Sequence, residues 1–269
     1  MLPSSCHPQI MGILNLTPDS FSDGGKFNTP VKALKQVKKM IKEGADFIDL
    51  GGESTGPKSL EVSLSDELQR VIPIIQLIKA EKINIPLSVD TYKAEVAKQA
   101  LELGIDMIND VTALRGDPDM KEILGHYKPY VVLMYAKDDT PRTTLFSQKY
   151  SDVVSHIKKF LLERVRIAIR YGIPKEKIIL DPGLGAFVSS EHSYSFEIIR
   201  RLREFKELGF PILIGPSRKS FLGGELKNRL IKTIAITALC AYHGADYIRV
   251  HDVKQNREAV EVAKKVLIS

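Results

Sequence analysis

Short runs of apolar, often β-branched residues recur along the chain. They read QIMGILNL at 9–16, DFIDLGG at 46–52, PLSVD at 86–90 and DMINDV at 106–111, then YVVLMY at 130–135, KIILDPG at 177–183, PILIGPS at 211–217 and YIRVHD at 247–252. Such runs predict strands buried on both faces. Between them, VKALKQVKKMIKEGA at 31–45 has apolar residues at helical spacing and a Gly near its end. KAEVAKQALELGID at 93–106 and IIRRLREFKELGF at 198–210 repeat the form. Their Lys-rich faces read as solvated helix surface. Eight strands alternating with about eight helices is the sequence form of a single (β/α)8 TIM barrel. A doubly wound open sheet is the alternative, but no Gly-x-Gly-x-x-Gly follows a strand, which argues against a dinucleotide fold. No Gly-, Ser- or Pro-rich linker divides residues 1–269, so one barrel domain is expected. The longest irregular stretches, 17–30, 53–64, 136–150 and 184–195, all follow strands. A barrel would place them on its C-terminal face, where active sites sit.

Composition narrows the function classes. Hydrophobic residues make up 43% of the 269, enough for a substantial core. The net charge of +6 is a mild excess, suited to anionic small molecules, and no basic stripe interleaved with aromatics points to nucleic acid. Cys6 and Cys240 belong to no Cys-x-x-Cys pair, so neither a zinc site nor a disulfide framework is indicated. The N-terminal MLPSSCHPQI lacks the charged and apolar regions of a signal peptide, and no apolar run approaches the ~20 residues that span a bilayer. A soluble, cytoplasmic protein without membrane or nucleic-acid partners is the expectation.

The strand ends change the picture. Strand 1 ends at Asn15, strand 2 near Asp49 and strand 3 at Asp90. Strand 4 carries Asn109 and Asp110, strand 6 ends at Asp181, strand 7 runs into Ser217, Arg218 and Lys219, and strand 8 holds Arg249 and His251. Asp181 alone, in Asp-Pro-Gly, reads as a turn former. Polar groups ending seven of eight strands on one rim read instead as a converging ligand site. Asp90, Asn109 and Asp181 offer acceptors and an amide. A planar heterocycle with an N–C–N donor edge would satisfy them, and the cations Arg218, Lys219 and Arg249 would suit an anion above it.

Seven motifs carry a resemblance: MGILNLTPDSFSDGG, FIDLGGEST, SVDTYKAEVAKQAL, MINDV, LDPG, GPSRKSFLG and IRVHDV. Together, from about residue 10 to 265, the chain resembles the dihydropteroate synthases, pterin-binding barrel enzymes of folate synthesis. The resemblance implies condensation of a 6-hydroxymethyl-dihydropterin pyrophosphate with p-aminobenzoate. It implies that Asp90, Asn109, Asp181 and Lys219 hold the pterin with Met134 close by, and that Asn15 ligates Mg²⁺ together with the pyrophosphate. Arg249 and His251 would bind the pyrophosphate. Thr55, Ser217, Arg218 and Phe187 would line the aminobenzoate site, and Asp23, Lys219 and Arg249 would act in catalysis. The first loop, NLTPDSFSDGG, would close over the site, with Asp23 shielding the cation. Departure of pyrophosphate from a carbon beside an electron-rich ring needs charge neutralisation. An aniline then attacks without a strong base. A homodimer is also expected.

The match breaks in three places. Gly56 stands where the family has Arg, with Lys58 two places on. Tyr135 takes the place of a His after strand 5. Ala186, Phe187 and Val188 replace Phe, Gly and Lys after strand 6. The last change resembles the sulfonamide-insensitive branch of the family and predicts reduced sulfonamide sensitivity. The rival readings are a corrinoid-linked methyltransferase domain of similar barrel, and a catalytically silent pterin-binding protein.

Overall fold

In the computed structural model, residues 8–17 and 30–268 are described. The strands are β1 (Gln9–Asn15), β2 (Phe47–Gly51), β3 (Leu87–Asp90), β4 (Met107–Asp110), β5 (Tyr130–Met134), β6 (Ile178–Asp181), β7 (Leu213–Ile214) and β8 (Tyr247–Val250). The helices are α1 (Pro30–Lys42), α2 (Leu64–Ala80), α3 (Ala94–Glu102), α4 (Met120–Tyr127), α5 (Val153–Arg170), α6 (His192–Arg200), α7 (Arg203–Lys206), α8 (Leu230–Tyr242) and α9 (Val253–Ile268). The strands pair in parallel in the order β6-β5-β4-β3-β2-β1-β8-β7. A parallel bridge between Leu180 and Ile212 joins the two ends, so the sheet curls into the expected (β/α)8 barrel.

Alternation within each strand sorts the side chains into two layers. Ile10, Ile48, Val89, Ile108, Val131 and Ile248 face outward into the large core shared with the helices. Met11, Phe47, Met107, Val132, Ile179, Leu213 and Tyr247 form a second, smaller cluster. Their strand register, Met11 beside Phe47 and Val132 beside Ile179, sets them side by side inside the barrel. Strands buried on both faces explain the unbroken apolar runs.

Two elements differ from the expectation. The run at 211–217 keeps only Leu213–Ile214 as strand, because Pro211 and Pro216 cannot donate to a ladder. The single helix expected over 198–210 is broken at Arg201–Leu202. There the backbone turns tighter: Glu204 N–H bonds Arg201 carbonyl and Phe205 N–H bonds Leu202 carbonyl. Leu202 and Phe205 are thereby both buried, while the Arg201 guanidinium is held by Asp152, Glu197 and Glu204.

Candidate active site

The interior changes character two residues along β2, β4, β6 and β8 from the apolar cluster, at Asp49, Asn109, Asp181 and Arg249. Register places Asp90 beside both Gly51 and Asn109, and Asp181 beside Met134. At this level Arg249 lies between two carboxylates. Its Nε donates to Asp49 Oδ2 at 2.5 Å and its Nη2 to Asp90 Oδ2 at 2.6 Å. Burial alone would lower the Arg249 pKa, but Asp49 and Asp90 outweigh it and raise it. Burial pushes Asp90 up to about 7 against the pull of Arg249. Asn109 Nδ2 donates to the same Asp49 oxygen at 3.2 Å.

Asp181 makes the turn that Asp-Pro-Gly predicts and keeps its carboxylate buried at the strand end. Its Oδ1 accepts the Gly183 N–H at 2.7 Å, the hydrogen bond of an Asx turn. Gly183 is required there: φ is +71°, and a Cβ would come within 2.5 Å of the Tyr135 carbonyl oxygen. The carboxylate also faces Lys219. Burial raises Asp181 while Lys219 opposes the rise, and burial lowers Lys219 to about 8. Lys219 Nζ donates to the Leu184 carbonyl at 3.1 Å and lies 5.0 Å from the centre of the Phe187 ring. Phe187 packs beside Val111, Met134 and Ala136, so the wall next to Lys219 is apolar.

A third group surrounds His251. Ser217 Oγ lies 2.9 Å from Nδ1, and Asn15 Nδ2 lies 3.3 Å from Nε2. Ser217 Oγ also accepts the His251 backbone N–H at 3.2 Å. An Asn amide nitrogen can only donate, so Nε2 is the acceptor and Nδ1 carries the proton toward Ser217. Burial, with Arg218 and Arg249 nearby, holds His251 down to about 3.

The loop from β5 to α5 straps two other loops together. Thr143 N–H donates to the Thr55 carbonyl at 3.1 Å, and Thr143 Oγ1 to the Ala186 carbonyl at 2.8 Å. Lys137 N–H bonds the Phe187 carbonyl at 2.8 Å. Asp138 organises the strap by accepting from the Lys137 ammonium and from the Thr144 backbone N–H and hydroxyl. Arg142 carries a guanidinium from this strap to the buried Glu53, which Lys93 also contacts while bonding Glu67 at 2.5 Å.

The site thus gathers Asn15, Asp90, Asn109, Met134, Asp181, Phe187, Ser217, Lys219, Arg249 and His251 at the C-terminal end of the barrel. Arg218 is placed differently. Its Nε and Nη2 fork onto Asp252 at 3.0 and 2.6 Å, so its charge is already paired. Thr55 sits in the β2–α2 loop, tied to the strap. Lys58 is exposed beside Gly56. Tyr135 faces outward into the helix layer, where its hydroxyl lies 2.8 Å from that of Tyr150, and Val188 is fully buried in that layer. Neither departure from the family pattern therefore presents a side chain to the pocket; of the three substitutions after strand 6, Phe187 is the one against the Met134 wall. Asp23 and Cys6 lie outside the described residues. Asp49 was read in the sequence as one of the polar strand ends but was given no role of its own; the structure joins it to Arg249 and Asn109. Arg142, in an irregular loop, gave no signal.

Known proteins resemble this chain over nearly its whole length. The profile of the pterin binding enzyme family matches residues 11–251. A dihydropteroate synthase of Synechocystis sp. (strain ATCC 27184 / PCC 6803 / Kazusa) is 43% identical over 259 residues, covering 94% of this chain and 88% of its own. The crystal structure of a Clostridium difficile dihydropteroate synthase in the presence of pteroic acid superposes with a TM-score of 0.89 at 44% identity, covering 99% of each chain. That of the Yersinia pestis dihydropteroate synthase with a sulfonamide drug gives 0.93 at 36% identity, covering 98% of this chain and 95% of that one.

Proposed function

The chain belongs to the pterin-binding enzymes, in the dihydropteroate synthase family, and from that premise we infer how its site works. The reaction is the transferase step of folate biosynthesis. It joins 6-hydroxymethyl-7,8-dihydropterin pyrophosphate to p-aminobenzoate, giving 7,8-dihydropteroate and pyrophosphate. The observation that carries the residue-level reading is that Asp90, Asn109 and Asp181 sit at the C-terminal ends of β3, β4 and β6, with Lys219 close to Asp181. Asp90 and Asp181 accept N–H groups of the pterin ring, and Lys219 donates to it. Met134 and Phe187 cover the ring with apolar surface. Arg249 receives the pyrophosphate with His251 beside it; His251 points its one ring proton at Ser217, so donating to the anion requires it to exchange that contact. Ser217 and Thr55 border the aminobenzoate.

Magnesium fits this donor set as a substrate-borne ion. No group of three or more His, Cys, Asp or Glu among the described residues could hold a metal by itself. Asn15 turns its Nδ2 to His251, and its Oδ1 lies 3.6 Å from where a Cβ on Gly51 would stand, on the Asp90 side. One neutral oxygen plus phosphate oxygens and water is a common Mg²⁺ environment. When bound, the ion neutralises charge on the departing pyrophosphate. Arg249 holds its guanidinium in place for the same anion. The apolar wall at Met134 and Phe187 keeps water from the reacting carbon.

The decisive assay incubates the purified protein with the pterin pyrophosphate and measures pyrophosphate release with and without p-aminobenzoate. Release that depends on p-aminobenzoate, with dihydropteroate formed, is expected. Tight pterin binding without turnover would support the silent-protein reading instead.

No helix among the described residues is long and apolar enough to cross a membrane. We propose a cytoplasmic enzyme, which the unpaired, buried Cys240 supports. A homodimer is proposed from exposed apolar residues on two adjoining helices: Ile231, Leu239 and Tyr242 on α8, and Val262 and Val266 on α9. Sedimentation should give a dimer that Ile231→Glu with Val262→Glu splits; a monomeric parent would end the idea.

A further inference from the structure

One buried carboxylate outside the assigned set touches two members of it. Asp49, fully buried on β2, uses a single oxygen for both contacts. Oδ2 accepts Arg249 Nε at 2.5 Å and Asn109 Nδ2 at 3.2 Å, while Oδ1 has no partner among the described residues. A guanidinium can only donate, so Oδ2 is an acceptor whatever the protonation of the other oxygen. An amide facing an acceptor must turn its nitrogen toward it. The two ends of an Asn side chain are nearly equal in size, and its neighbours decide which way it points. With the NH2 of Asn109 on Asp49, its carbonyl is the end left for the pocket.

We propose that Asp49 is a positioning residue that sets the polarity of the pterin pocket. By holding the Asn109 NH2, it makes Asn109 a third acceptor beside Asp90 and Asp181, so the pocket selects rings whose edge donates. The proposal rests on the pterin reading above and adds the reason the pocket discriminates among rings. Asp49 anchors Arg249 through the same oxygen, and Asp90 takes the other arm of the guanidinium. A plain counter-ion for Arg249 would leave Asn109 free to present either end. The two roles therefore differ in selectivity and not only in affinity.

The test compares two pteridines, a pterin and the analogue whose 2-amino group is replaced by a carbonyl oxygen. Dissociation constants are measured for the parent, Asp49→Ala and Asp49→Asn, with thermal unfolding as a check on folding. In Asp49→Asn the new carbonyl oxygen can stand where Oδ2 stood and accept both donors, so the preference for the amino ring should stay within about threefold of the parent. In Asp49→Ala the freed Asn109 amide adapts to either edge, and the preference should shrink about tenfold, the scale of one lost buried hydrogen bond. If Asp49→Ala does not fold, Asp49→Leu, similar in size and without an acceptor, serves the same readout. An unchanged preference in the acceptor-free variant overturns the proposal. So does an Asp49→Asn variant that loses the preference as fully as Asp49→Ala. A parent that binds neither ring brings down the pterin reading itself, and the proposal with it; a parent that binds while the variants keep its preference brings down the proposal alone.

Discussion

The lower and upper halves of the barrel interior are built from the same strands by the same alternation, yet they do opposite things. In the lower half Met11, Phe47, Met107, Val132 and Ile179 pack against one another, and Phe47 meets Tyr247 edge-on at 5.7 Å. In the upper half the next inward positions on β2, β4 and β6 are Asp49, Asn109 and Asp181. A step of two residues replaces dispersion and hydrophobic burial with ion pairs that are costly unless every member has a partner. The lower half can therefore be rigid at no expense to function, and it holds the upper half in register. The upper half keeps acceptor capacity in reserve: Asp49 Oδ1 has no partner among the described residues.

The largest effect should come from the upper half. Asp181→Ala removes an acceptor from a buried charged contact, and pterin affinity should fall by about 3–5 kcal/mol, a hundredfold or more. Calorimetric titration measures it; near-normal affinity would leave Asp181 with its turn role alone. Next, Phe47→Ala in the lower half should cost about 3–5 kcal/mol of folding stability while pterin affinity of the folded protein changes little. Denaturant unfolding and the same titration separate the two, and a matching loss of affinity would erase the division between the halves.

A smaller effect is set by pH. Burial holds Lys219 down to about 8, so its charge is present below that pH and lost as the pH rises through it. A reaction that needs the cation should then lose kcat/KM about tenfold per pH unit above about 8. Lys219→Arg should move that limb out of range, and a limb that stays put would belong to another group. The smallest effect concerns Phe187. Its ring packs, partly buried, against Met134, and we expect Phe187→Gly to strengthen sulfonamide inhibition by about tenfold or less at matched p-aminobenzoate. A parent already as sensitive as the variant would remove the idea. Exchange of Val188 for Lys does not belong in that test, because it would bury an ammonium in the helix-facing core.

The residues that end apolar runs were legible in the sequence, for a physical reason. Asp90, Asn109 and Asp181 interrupt strands that are otherwise apolar on both faces, and such groups persist only where something pairs with them. The outward aim of Tyr135 was also within reach, since Met134 points inward and strand side chains alternate. The pairings were not legible. Arg249 meets Asp49 across 200 positions, and Arg218 meets Asp252 across 34. Both partners are set by barrel closure and loop path, which local pattern does not encode. The pairing of Arg201 with Asp152, 49 positions away, is of the same kind.

The bridge from Leu180 to Ile212 makes β6 and β7 the least knitted neighbours in the sheet. Asp181 follows Leu180 on one side of that seam, and Lys219 follows the short β7 on the other. A ring gripped by both side chains spans the seam like a clasp. Binding to the closed form alone stabilises it by RT ln(1 + [L]/Kd), and here that energy falls where the cylinder has fewest hydrogen bonds of its own. The Leu180 amide hydrogen, bonded to the Pro211 carbonyl at 2.9 Å, sits on that line. Deuterium uptake there becomes a local gauge of occupancy, and a circular permutant opened between β6 and β7 would depend on its substrate to stay a cylinder.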